Sequence, residues 1–264
     1  MEKDGKLIDV LLRENFTYGN ALKVLRKKDV RVNDKRVSEN VSLSKGDKLT
    51  IYYLDDVNKY DIVFDGEHAL VVYKYAGTET CDLAEELKVI AVHRLDRNTE
   101  GLIVFAKDAQ TKESLEKAFK NHLVNKFYLA EVVGSFVTDK LYTAYLVKDA
   151  ERALVKIYDQ PLPNAKKIET KVTTLKASSE SSVLKVQIIG GKTHQIRAHL
   201  AHLGHAIIGD GKYSRREDYK RFKAKHQMLF AYKLEFKDVG VEELNNKTFK
   251  VLPEFTKKLN VAID

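Results

Sequence analysis

The first apolar pattern along the chain is helical. In GKLIDVLLREN, Leu7, Ile8, Leu11 and Leu12 fall at the spacing of one buried stripe, and NALKVLRKKD repeats that pattern after a turn predicted at Tyr18-Gly19-Asn20. The period then shortens. VRVNDKRV reads as a hairpin about Asn33-Asp34, and KGDKLTIYY as a short strand. Residues 1–54 therefore form a small helix-hairpin module, followed by a polar, acidic linker at 55–61 and a larger domain at 62–264. In that domain strand-length runs dominate: DIVF and ALVVY about a turn at Asp65-Gly66, then LIVFA, KFYLAEVV and SSVLKVQII. Asp108 caps a predicted helix whose inner face carries Leu115, Ala118, Phe119 and His122. Thr193 is the expected N-cap of THQIRAHLAHL and Gly204 the residue past its end. At about 100° per residue, Ile196, Leu200 and Leu203 share its core stripe, with Arg197 to one side and His199 and His202 to the other. Many strands, helices only at intervals and no regular βαβ alternation predict an α+β fold.

Composition narrows the class. Of 264 residues, 44% are hydrophobic and 32% charged, as in an ordinary soluble protein, and the longest apolar runs are far short of a membrane span. MEKDGKLIDV lacks the apolar run of a secretory signal, and one cysteine, Cys81, excludes an intramolecular disulfide; a cytoplasmic protein is expected. The formal charge of +8 attracts polyanions, and nucleic acid is the commonest such partner. Two segments concentrate that charge. Residues 18–37 hold seven Lys or Arg against two Asp, with Lys23, Arg26 and Lys27 on one helix face, which suits phosphate tracking. SRREDYKRFKAKH holds six against two acids, interleaved with Tyr219 and Phe222; it suits splayed RNA, or is a solvated helix.

Two further stretches carry chemistry. In AVHRLDRNTEGLIVFAKD, Asp96 has Arg94 two residues before it and Arg97 directly after, just ahead of an apolar strand. That arrangement suits a carboxylate held for work, though charged loops are common. GGKTHQIRAHLAHLGHAIIGDGKY contains His194, His199, His202 and His205. His199 and His202 are spaced to share an ion, but His194 projects from another face and no acid or Cys completes a set until Asp210, so no metal is expected. Tyr128 faces opposite to Phe127 and Leu129 on its strand, which in isolation reads as a packed sheet tyrosine.

Residues 5–54, by their two helices, V-x-V-N-x-x-x-V and K-G-D, resemble the S-four-type RNA-binding domain, without the usual Ser-Arg pair at the second helix. HRLDRNTEGLIVFAK, NKFYLAEV and GGKTHQIRAHLAHLGHAIIGDGKY together resemble the RluA-type pseudouridine synthases over about residues 60–235. The resemblance implies a mixed, largely antiparallel sheet and the isomerisation of uridine to pseudouridine in ribosomal RNA or tRNA, with base flipping and no cofactor. It implies that Asp96 is the catalytic carboxylate, Arg197 its ion-pair partner, Tyr128 the ring stacked on the target base, and Arg94 the residue inserted where the nucleotide leaves the stack. His93, Thr99, Lys192, His194 and Gln195 are then expected at the RNA. Departures are Glu100 for the usual Ser, placing a second carboxylate near Asp96, Lys192 for Arg, and Tyr75 for Pro. A monomer is expected. The same fold also suits a non-catalytic RNA-binding or ribosome-assembly protein; the intact Asp96, Tyr128 and Arg197 favour the enzyme.

Overall fold

Asn33 and Asp34 take φ of 49° and 64°, the left-handed pair that a two-residue hairpin turn requires and that short polar side chains tolerate. In the computed structural model, which describes residues 5–14, 16, 18–26, 28–51, 59–149, 154–222, 224, 226–258 and 263, they join two strands of the first unit. The chain divides into two compact units, Met1–Val57 and Asn58–Asp264.

The first unit runs β1 (Gly5–Lys6), α1 (Leu7–Arg13), α2 (Tyr18–Arg26), β2 (Val30–Val32), β3 (Lys35–Val37), β4 (Ser42–Leu43) and β5 (Leu49–Ile51). β1 pairs with β4, and β3-β2-β5 form a sheet. Leu7, Leu11, Ala21, Val24, Leu25, Val30 and Leu43 are buried together. α2 starts at Tyr18, within the stretch expected to turn; burial of Ala21, Val24 and Leu25 outweighs the weak helix propensity of Gly19 and Asn20. Arg26 is exposed, whereas the side chain of Lys23 and all of Lys27 lie outside the described residues.

The second unit runs β6 (Tyr60–Asp65), β7 (Ala69–Lys74), α3 (Thr80–Leu87), β8 (Ile90–Ala91), β9 (Glu100–Ala106), α4 (Ala109–Lys120), β10 (Val124–Val133), β11 (Asp139–Asp149), β12 (Leu154–Tyr158), β13 (Lys166–Ala177), β14 (Ser181–Ile189), α5 (Gln195–His202), α6 (Arg216–Phe222), β15 (Leu229–Phe236) and β16 (Thr248–Lys250). β6 begins inside the stretch read as linker. The main path of the sheet is β12-β11-β13-β14-β10-β15-β9-β7-β6, with β8 beside β9 and β16 beside β15. Among the described residues the pairing of β9 with β15 is parallel and the other strand pairings are antiparallel, so the fold is α+β with a mixed, largely antiparallel sheet. Gly101 makes the parallel contact possible, since a Cβ there would overlap the main chain of Ala231.

Alternation along β7 and β9 separates two cores. Leu70, Val72, Ile103 and Phe105 face one side with Tyr128, Ile196 and Leu200; Ala69, Val71, Leu102 and Val104 face the other with Leu115 and Ala118 of α4. Asp108 caps α4 by accepting from Thr111 N at 2.7 Å. His122, expected on the inner face of that helix, stands past its end, exposed, with φ 58°. The helix stops at Lys120, which frees His122 to follow the turn.

Candidate active site

The turn that carries Asp96 is held on both sides. Lys74, fully buried at the end of β7, donates to the carbonyls of Tyr75 at 3.1 Å, Thr78 at 3.0 Å and Arg97 at 3.1 Å. The Thr80 hydroxyl donates to Leu95 O and accepts from Leu95 N, both at 3.2 Å. Thr99 N closes the turn on Asp96 O at 3.0 Å, and the Thr99 hydroxyl is bonded by Gln227. His93 accepts from Val104 N at 3.0 Å through Nε2 and lies on Phe119. Burial first, and Lys126 second, push its pKa down to about 3, so it serves as a neutral acceptor.

Opposite this turn stands α5. Its expected cap, Thr193, is replaced by His194, which sits in the left-handed region at φ 52°. The turn is closed from within instead: Gln195 accepts from Lys192 N at 3.1 Å and donates to Glu169 O at 3.0 Å. Gln195, expected at the RNA, thus has its amide engaged inside the protein. α5 is buried from Gln195 to Leu200, so Arg197 and His199, read as flanking the core stripe, are interior as well, while His202 in the last turn is exposed.

Burial makes the position of Arg197 costly unless its charge is met. Asp210 meets it as a fork, taking Nε at 2.7 Å and Nη2 at 2.9 Å. The remaining Nη1 donates to Asp96 Oδ2 at 2.7 Å. Burial opposes the guanidinium charge, but Asp210 and then Asp96 outweigh it and hold the group above its ordinary pKa. His194 lies 3.8 Å from the same Asp96 oxygen through Nε2 and bonds the Tyr213 hydroxyl at 2.8 Å through Nδ1. Burial lowers its pKa, Asp96 opposing and Arg197 adding.

Asp96, Arg197 and His194 line a cleft of about 540 Å³, with Arg94, Tyr128, Lys126, Lys192 and Leu229. Tyr128 is buried; that burial, and then the Asp96 carboxylate, raise its pKa and keep it a neutral phenol. Glu100 is not among the lining residues. Its carboxylate accepts from Tyr73 at 3.2 Å, so the second carboxylate expected beside Asp96 is turned to the neighbouring strand. There it meets a second departure: Tyr75 packs edge-on against Tyr73 and bonds Asp61 at 2.6 Å. The other three histidines diverge, His199 to Thr170, His202 to Asp159 and His205 to Val133 O.

Sequence reasoning missed Asp210 as Arg197's partner, and Lys126 and Tyr213 as parts of the site. Asp210 was visible as a lone carboxylate between two glycines, and Lys126 as a cation two positions from Tyr128 on one strand.

Residues 62–202 match the family model described as RNA pseudouridylate synthase. An RNA pseudouridine synthase of Helicobacter pylori is 31% identical across 95% of this chain and 100% of its own. Ribosomal large subunit pseudouridine synthase C of Vibrio cholerae is 29% identical across 80% of this chain and 78% of its own. Among solved structures, human RNA pseudouridylate synthase domain containing 4 superposes with a TM-score of 0.60 over 76% of this chain and 94% of that one, at 21% identity, a likeness of fold.

Proposed function

The chain belongs to the RNA pseudouridylate synthase family, and from that premise we propose that it isomerises specific uridines of large-subunit ribosomal RNA with Asp96 as the catalytic carboxylate. The enzyme class and the RNA substrate follow from the family; the target and the residue roles are our reading. The observation that carries it is the Asp210–Arg197–Asp96 chain, in which a buried fork aims one guanidinium N–H at the carboxylate in the cleft. The ribosomal target is supported by the name of the Vibrio cholerae relative.

In the reaction the bond from ribose C1′ to N1 of uracil breaks, the base turns, and C1′ joins C5, whose proton leaves as N1 gains one. The base cannot turn while stacked, so the nucleotide is flipped into the cleft. Asp96 acts either as a nucleophile or as the base that removes a ribose proton. Both use a carboxylate charge, which the Arg197 guanidinium meets at 2.7 Å. Tyr128, as a neutral phenol, offers its ring for stacking. Arg94, exposed at the cleft, fills the space the nucleotide leaves. The unit at residues 1–57, by its resemblance to S-four-type domains, adds RNA affinity.

Purified protein is incubated separately with pseudouridine-free ribosomal RNA and tRNA labelled with tritium at uridine C5. Release from large-subunit RNA alone is expected. Release from tRNA alone would overturn the target.

A further inference from the structure

Among the described residues two lysines of the second unit are buried, and their donors are used differently. An ammonium has three N–H groups. Lys74 gives hydrogen bonds to three main-chain carbonyls and is complete. Lys126, 9% exposed, donates to the carbonyl of Gly190, and its Nζ lies 5.4 Å from the centre of the Phe119 ring. Among the described residues no carboxylate pairs with it. It lines the cleft with Lys120, His122 and the Gly190–Gly191–Lys192 turn, to which it bonds through Gly190 O. Gly191 gives it room, since a Cβ there would stand 2.9 Å from Nζ.

A desolvated cation with donors to spare, beside two more lysines, is built for an anion. On β10, Lys126 and Tyr128 are two residues apart and both line the cleft, a separation of about 7 Å. A nucleotide whose base lies on Tyr128 carries its phosphates at about that reach. We infer that the Lys126 end of the cleft is a phosphate subsite, in which the Lys126 ammonium binds a backbone phosphate flanking the flipped uridine. The inference rests on RNA occupying this cleft, as proposed above.

The subsite has a pH signature. Burial first, and Lys192 second, bring Lys126 down to about 8, so the charge is present below that value and lost above it. The titratable groups facing it are His93, Lys120, His122 and Lys192. His93, at about 3, stays neutral across the range.

The test compares wild type, Lys126→Met, Lys126→Arg and His122→Asn for binding to unmodified transcripts of large-subunit ribosomal RNA, at several salt concentrations and from pH 7 to 9.5. Tritium release is measured separately. At pH 7, Lys126→Met weakens binding about tenfold and makes the salt slope shallower by about 0.7 to 0.9. Wild-type affinity falls as pH rises through about 8. Lys126→Arg, charged throughout, restores affinity and removes that fall, whereas His122→Asn keeps it. Unchanged affinity and salt slope in Lys126→Met would overturn the subsite, as would a pH dependence that persists in Lys126→Arg. Loss of turnover with binding intact would also overturn it, assigning Lys126 to the chemistry. Should wild type bind but release no tritium, the proposed function fails while the subsite stands or falls on binding alone.

Discussion

Arg197 holds two carboxylates with one planar group, and the order of its bonds matters. The Asp210 fork fixes the guanidinium plane, and only then does Nη1 point at Asp96. Asp210→Asn breaks a buried pair and is expected to cost about 3 kcal/mol of stability in urea unfolding. It should also lower turnover while leaving RNA affinity unchanged, since Asp210 is buried and away from the cleft surface. A second residue-scale effect comes from His93. Its folded pKa of about 3 lies below the ordinary 6.5, so between those values the unfolded chain holds a proton that the folded one does not. Stability therefore falls as pH drops from 6.5 towards 3, and His199, held at about 4, acts in the same direction. His93→Gln should flatten part of that loss in thermal melts across the window. An unchanged slope would contradict the neutral assignment of His93.

At the scale of elements, the turn that carries Asp96 depends on the segment that follows β7. Lys74 and Thr80 grip it at Arg97 and Leu95, one on each side of Asp96, and Gly77 exchanges bonds with Arg97 through Gly77 N to Arg97 O and Arg97 Nε to Gly77 O. Lys74→Met leaves three carbonyls without their donor and is expected to lower stability by about 2–4 kcal/mol; an unaltered melting temperature would contradict the strap. The strands were legible because period-2 alternation and the Asn33-Asp34 and Asp65-Gly66 turns are local signals. α4 was legible through its Asp108 cap. α5 was only half so. Its length could be read, but burial of its polar Gln195, Arg197 and His199 along with Ile196 and Leu200 leaves no polar face to mark its orientation, and its cap is a main-chain turn held by Gln195 that no capping residue announces. Asp96 and Arg197 lie 101 positions apart, and no periodicity links them; only the resemblance of their motifs did.

At the scale of the whole molecule, a chain of net charge +8 carries, in its second unit, a cleft lined by acid, guanidinium and phenol, Asp96, Arg197 and Tyr128. The charge of +8 draws RNA in, and Arg94, Lys120, Lys126 and Lys192 carry it into the cleft, whereas at the acid itself Arg197 stands between two aspartates. Affinity and chemistry are therefore separable. The second unit carries its own cores, the two largest on the two sides of β7 and β9, so removing residues 1–57 should leave it folded. That deletion is expected to weaken RNA binding and make its salt slope shallower while tritium release persists at saturating RNA. A full salt slope after deletion would show that the first unit makes no phosphate contacts.

The most direct test measures C5-tritium release and RNA affinity side by side for wild type and Asp96→Asn. The substitution keeps the shape that Arg197 bonds while removing the charge. Release by wild type, none by Asp96→Asn, and affinities within about threefold of each other, under 1 kcal/mol, are predicted. Release by Asp96→Asn at the wild-type rate would contradict the assignment of Asp96 as the catalytic carboxylate.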